Sequence, residues 1–173
     1  MDFRQHLYLM AGWNSWCYRR LYSCVDHLTD TDYRGDSGLF FKSVHGSLNH
    51  MLLVEQLWRA RLNGAPLAIT GLDQELETDR AALKLRLLES ADAWLPYMQQ
   101  FPDDGLFADF TYRNLKGDTY ALPRSAIVHT MFTHGAHHRG QVTTALTQMG
   151  QPTPELDFPV FYLEQRNNER HLS

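Results

Sequence analysis

Apolar residues return along this chain at alternating steps of four and three, the spacing of helices that bury one face. From Phe3 the series Leu7, Met10, Asn14, Cys17, Leu21, Cys24 and Leu28 predicts a first helix over about 2–28. The segment TDTDYRGDSG, from Thr29 to Gly38, reads as a break, with two glycines and three aspartates. A second helix over about 39–62 carries two stripes, Val44, Leu48, Met51, Glu55, Trp58, Leu62 and Ser43, Ser47, His50, Val54, Leu57, so it should touch neighbours on more than one side. A third, over about 73–100, follows Leu76, Leu83, Leu87, Ser90, Trp94, Tyr97 and Phe101, with Pro96 expected to kink or end it. The period then changes. FADFTYRN and GDTYALP are short runs rich in aromatic and threonine residues, and they predict a β-hairpin. A fourth helix starts near Pro123 or Ser125 and runs to Gln148, with Gly150 as its stop. The Pro-rich tail predicts a crossing segment that finishes in a short helix after Pro159. The sum is an all-α protein, a four-helix bundle with a small β-hairpin between helices three and four.

A length of 173 residues fits one domain spanning 1–173. The composition, 43% hydrophobic and 21% charged, is that of an ordinary globular chain, and a net charge of -4 gives no basic footprint for nucleic acid. No apolar run reaches membrane-spanning length, and MDFRQHLYLM lacks the apolar stretch and cleavage site of a signal peptide. Cys17 and Cys24 fall on one helix with alpha carbons about 10 Å apart, too far for a disulfide, and they read as small buried hydrophobes. Two free thiols suit a reducing compartment, so a cytoplasmic location is expected.

THGAHHRGQ, Thr133 to Gln141, places three histidines within five residues of helix four. At about 100° per residue, His138 lies about 40° from His134, and Ile127, Met131, Ala145 and Gln141 share that face. His134 and His138 therefore point inward, while His129 and Arg139 fall on the opposite side. Two imidazoles one turn apart can share one metal ion, although spacing alone leaves open that each simply hydrogen-bonds a neighbouring helix. Helix two offers a third ligand in His45 or His50, about 140° apart. His50 lies on the stripe with Val54 and Leu57 and is chosen, which leaves His45 as a surface or subunit-contact residue.

SVHGSLNHMLLVEQLWRARLNG followed much later by HGAHHRGQ resembles the DinB-like family of metal-dependent four-helix bundles, and GWNSW in helix one is similar to that family's aromatic-Asn-x-Trp pattern. The resemblance covers nearly the whole chain. It implies metal ligands at His50, His134 and His138 and a homodimer; imidazole donors suit zinc or nickel, so one of these is the expected divalent ion. It also implies thiol chemistry, because mycothiol-dependent maleylpyruvate isomerase and bacillithiol transferases belong to the same superfamily. His129 departs from the family pattern by one residue and receives no role.

Gln141, on the ligand face, could orient a ligand imidazole or a metal water. Asn14, on an apolar stripe, needs a hydrogen-bond partner. Glu55 and Trp58 read as bundle framework, Arg139 as half of a structural ion pair, and Gly140 as a place where another helix could approach closely. Tyr8 and Tyr162 could line an entrance. The expected activity is a metal-dependent thiol S-transferase or hydrolase acting on a small molecule, with a non-catalytic stress-response metal-binding bundle as the alternative.

Overall fold

The computed structural model describes residues 2–65, 67–101 and 105–171. Helix α1 spans Phe3–Val25. Asp2 caps it reciprocally: its carboxylate accepts from the Gln5 amide at 2.8 Å, and the Gln5 side chain accepts from the Asp2 N–H at 2.9 Å. The polar segment that follows is not all loop. Asp30–Arg34 forms a short helix, α2, with the Thr29 side chain as its cap. Two of the three aspartates that look like breakers, Asp30 and Asp32, sit in its first turn, where free N–H groups favour negative charge. Tyr33 from this helix is fully buried, with the Arg80 guanidinium 4.3 Å from its ring centre.

Helix α3 spans Val44–Leu62 and starts five residues later than the periodicity predicts. Leu39 and Lys42 bridge across a tight turn, Gly38 and Lys42 have φ of 72° and 66°, and the Ser43 hydroxyl caps the helix by accepting from Gly46 N–H at 3.0 Å. The expected third helix is two, α4 at Arg80–Asp92 and α5 at Trp94–Gln100. Pro96 explains the break, since its ring would clash with the carbonyl of Asp92 four residues back. Asp79 caps α4 through the Ala82 N–H, so the predicted start at 73 gives way to an irregular segment over 67–79.

The hairpin pairs β1, Asp109–Arg113, with β2, Thr119–Pro123, and Phe110 faces Leu122 in the register. Asn114 closes its turn by accepting from the Lys116 and Asp118 amides, both at 2.9 Å. Helix α6 spans Arg124–Gln148, and Gly150 ends it at φ 70°. The tail helix α7, Phe158–His171, is longer than expected because Pro159 occupies its first turn, where a missing N–H costs nothing. It docks on α1 through Trp16, whose Nε1 donates to Glu164 at 2.8 Å, and through Phe161.

Within the bundle, α1 packs on α4, α5 and α6, and α3 packs on α4 and α6, so α1 and α3 occupy diagonal corners. Both α3 and α6 therefore bury two faces, as the double stripe of α3 implied. Cys17 and Cys24 are free and buried. Burial pushes the Cys17 thiol up to about 11, so it stays protonated near neutral pH. Among the described residues no helix is long and apolar enough to cross a membrane.

Candidate metal centre

His50 on α3 and His134 and His138 on α6 converge at the interface of these two helices, each offering a ring nitrogen within 4.8 Å of the others. His50 Nε2 and His134 Nε2 are 3.1 Å apart, and the His134 and His138 ring centres 4.4 Å. The protonation pattern follows from the partners. His50 Nδ1 lies 2.8 Å from the Leu72 carbonyl and His138 Nδ1 lies 2.8 Å from Gln141 Oε1. Both acceptors require Nδ1–H, which leaves Nε2 of each ring with a lone pair facing the cluster.

Burial enforces neutrality. It lowers His50 and His134 to about 4 and also lowers His138, whose hydrogen bond to Gln141 opposes the shift. Without an ion the His50 and His134 Nε2 atoms, 3.1 Å apart, can share one proton, and a divalent cation can take that proton's place among the three neutral rings. Tetrahedral metal–nitrogen bonds of 2.0–2.1 Å place ligand atoms about 3.3 Å apart, a spacing the His50–His134 pair already has. Three imidazole nitrogens are a donor set that fits a divalent transition metal.

Several groups that the periodicity does not reveal shape this site. Phe41 stacks on His50 with ring centres 3.9 Å apart and planes at 18°. It can do so because Gly46 lacks a Cβ: one there would sit 2.3 Å from the Phe41 carbonyl oxygen. The Leu72 carbonyl comes from the irregular segment, pinned to α3 by Asn49, whose Oδ1 accepts from the Leu76 and Glu77 amides at 2.8 and 3.0 Å. Gln141 also reaches the exposed His137, at 3.1 Å. Gly46 and Asn49 flank His50 in the quoted motif, but nothing in the sequence says which loop they receive.

His45 corrects the expectation of a surface residue. It is only 5% exposed and contacts Tyr33, Glu75 and Asn49, about one and a half turns from the trio's helix-two member. Arg139 is also buried, because the face of α6 away from the histidines meets α1. Its Nη1 donates to Asn14 Oδ1 at 2.6 Å, an amide rather than the carboxylate of an ion pair, and its guanidinium lies 5.0 Å from the Trp13 and Tyr18 ring centres. Asn14 Nδ2 in turn donates to Glu55 Oε1 at 2.9 Å, and Trp94 Nε1 donates to the other oxygen. Asn14 and Glu55 are thus structural links among α1, α3, α5 and α6. The glycine that permits close approach is Gly135, beside this network, whereas a Cβ at Gly140 would meet nothing. His129 is exposed.

Beside the trio opens a pocket of about 430 Å³, walled by His50 and His134 at one end and by Trp58 and the hairpin residues Tyr112 and Lys116 at the other. Tyr8 and Tyr162 lie elsewhere, the first in a groove between α1 and α5 and the second on α7.

The family model of the DinB family matches residues 3–170, and the chain belongs to that family. It is 21% identical over 166 residues to Protein DinB of Bacillus subtilis strain 168, covering 92% of this chain and 94% of that protein. The fold resembles the crystal structure of a DinB-like protein from Bacillus cereus ATCC 10987, with a TM-score of 0.62, 19% identity, and coverage of 85% of this chain and 94% of the other.

Proposed function

We propose that this DinB-family chain is a metal-dependent enzyme that holds one divalent ion, zinc or nickel, on His50, His134 and His138, and transfers a small thiol to an electrophile. The observation that carries this reading is the convergence of the trio's imidazole nitrogens at the end of a small-molecule-sized pocket. When bound, an ion held by three neutral ligands keeps coordination positions open and acidifies a thiol or water placed there.

The chain's own residues have separable tasks. Leu72 and Gln141 hold the His50 and His138 tautomers, which would leave each Nε2 free to ligate an ion. Phe41 covers His50 and limits water on that side. Among the described residues no carboxylate lines the pocket, and Glu55, 1% exposed, has both oxygens engaged by Asn14 and Trp94. A thiol or water ionised by the ion needs no separate base, so the lining is compatible with both reactions, and thiol transfer is put first on the family resemblance, with hydrolysis as the alternative.

The test uses cobalt-substituted protein. Addition of glutathione, bacillithiol or mycothiol should produce a sulfur-to-cobalt charge-transfer band, and the loaded protein should conjugate one of them to a haloalkane or maleyl compound. Protein that holds its metal tightly, gives no band and turns over neither these nor ester and amide substrates would be a metal-binding bundle without catalysis.

A further inference from the structure

The pocket beside the trio has an asymmetry that metal binding does not explain. Its lining is mostly apolar, with Val54, Leu57 and Leu72 beside the polar Asn114 and Thr130. Two cations also line it, Arg61, about three turns beyond His50 on α3, and Lys116 on the hairpin turn. Among the described residues no carboxylate forms an ion pair with either. Arg61 is held in place without being neutralised: Nη2 donates to the Arg113 carbonyl at 3.0 Å, and the guanidinium lies 4.9 and 5.3 Å from the Trp58 and Tyr112 ring centres. Lys116 stands at the hairpin turn that Asn114 braces. A braced guanidinium and an exposed ammonium lining a mostly apolar chamber that holds no acid form a receptor for an anionic group on an apolar body.

We infer that the pocket binds a small organic acid, with its apolar body against Leu57 and the Trp58–Tyr112 pair, its carboxylate at Arg61 and Lys116, and its reacting end toward His50 and His134. This rests on the proposed function only for where the reacting end lies. The volume of about 430 Å³ accommodates one aromatic ring with a short side chain and leaves room for a second reactant.

Phenylacetate, phenylacetamide and phenethylamine, which differ in charge on one apolar frame, serve as probes. Binding is measured by calorimetry and ligand-observed NMR on metal-loaded protein and on chelator-treated protein. Phenylacetate should bind about tenfold more tightly than the amide, with the amine weakest. Lys116→Met and Arg61→Met should each weaken phenylacetate about fivefold or more, leave the amide unchanged, and do so with or without metal. Lys116, exposed at a turn, carries the comparison if Arg61→Met disturbs the fold. Equal affinity for acid and amide, or absence of binding by all three, would overturn the assignment. So would a preference that disappears with the chelator, because the carboxylate would then be held by the ion. Failure of the protein to take up a divalent ion would sink the metal reading, and a charge preference that persisted in that protein would leave this one standing.

Discussion

Replacing Gly135 by alanine and replacing Gly140 by alanine should move stability in opposite directions, although both residues lie inside α6. Propensity favours each change by about 1 kcal/mol. At Gly140 nothing opposes it, since no atom lies within 4 Å of the new methyl position. At Gly135 that position is 2.8 Å from Arg139 Nη1 and 3.0 Å from Asn14 Oδ1, the two atoms joined by the 2.6 Å hydrogen bond. Neither can retreat freely, because Arg139 is 1% exposed and Asn14 also holds Glu55. Overpacking costs about 1–3 kcal/mol, and disturbing a charged hydrogen bond costs about 1.5–3 kcal/mol. Set against the helical gain, Gly135→Ala should lose about 2–4 kcal/mol. For a chain of this size the melting temperature should fall by roughly 5–15 °C, while Gly140→Ala should raise it by about 2–4 °C. Differential scanning calorimetry in chelator isolates the fold from metal linkage. A Gly135→Ala protein as stable as the parent would mean that the Asn14–Arg139–Glu55 network tolerates displacement, and the account of Arg139 as a buried link would fail.

Purified protein should carry about one divalent ion per chain, measured by plasma emission spectrometry. Alanine at His50, His134 or His138 should abolish it, while His129→Ala should keep it; full occupancy in His50→Ala would dismiss the trio. Gln141→Ala should retain the ion with affinity weakened about 10- to 100-fold, read by competition with a chromophoric chelator, and unchanged affinity would remove its orienting role. Metal-free protein should lose stability in mild acid. His50 and His134 titrate near 4 when folded and near 6.5 when not, so the unfolded chain takes up protons first. Their contribution is present above about pH 6.5 and fades as pH falls through about 4, by roughly 1–2 kcal/mol each once solvent screening is allowed for. Urea titrations across that range check this, and the slope should flatten in His50→Ala. Sedimentation should show a homodimer, the assembly that the family resemblance implies, and monomer alone at high concentration would refute it.

The sequence by itself determined the helices with a buried stripe, the hairpin, and the inward faces of His134 and His138, because each follows from a short-range period of the backbone. It also singled out His50 over His45, since a helix turn keeps only one of them on the face shared with Val54 and Leu57. The tertiary structure decided what lies opposite each face. Periodicity ranks α6 by one apolar stripe, so Arg139 falls outside it and reads as half of a structural ion pair; the bundle lays α1 along that second face and buries the guanidinium on the Asn14 amide instead. His45 is enclosed in the same way, by Tyr33 from a helix too short for any period to show and by Glu75 from a segment with no period at all. The Leu72 carbonyl that fixes His50 is backbone, which carries no signal in residue identity, and it arrives only because Asn49 ties down the loop around it. Contacts between segments distant along the chain are set by how faces meet in space, and a one-dimensional period records which face is apolar but not what covers it.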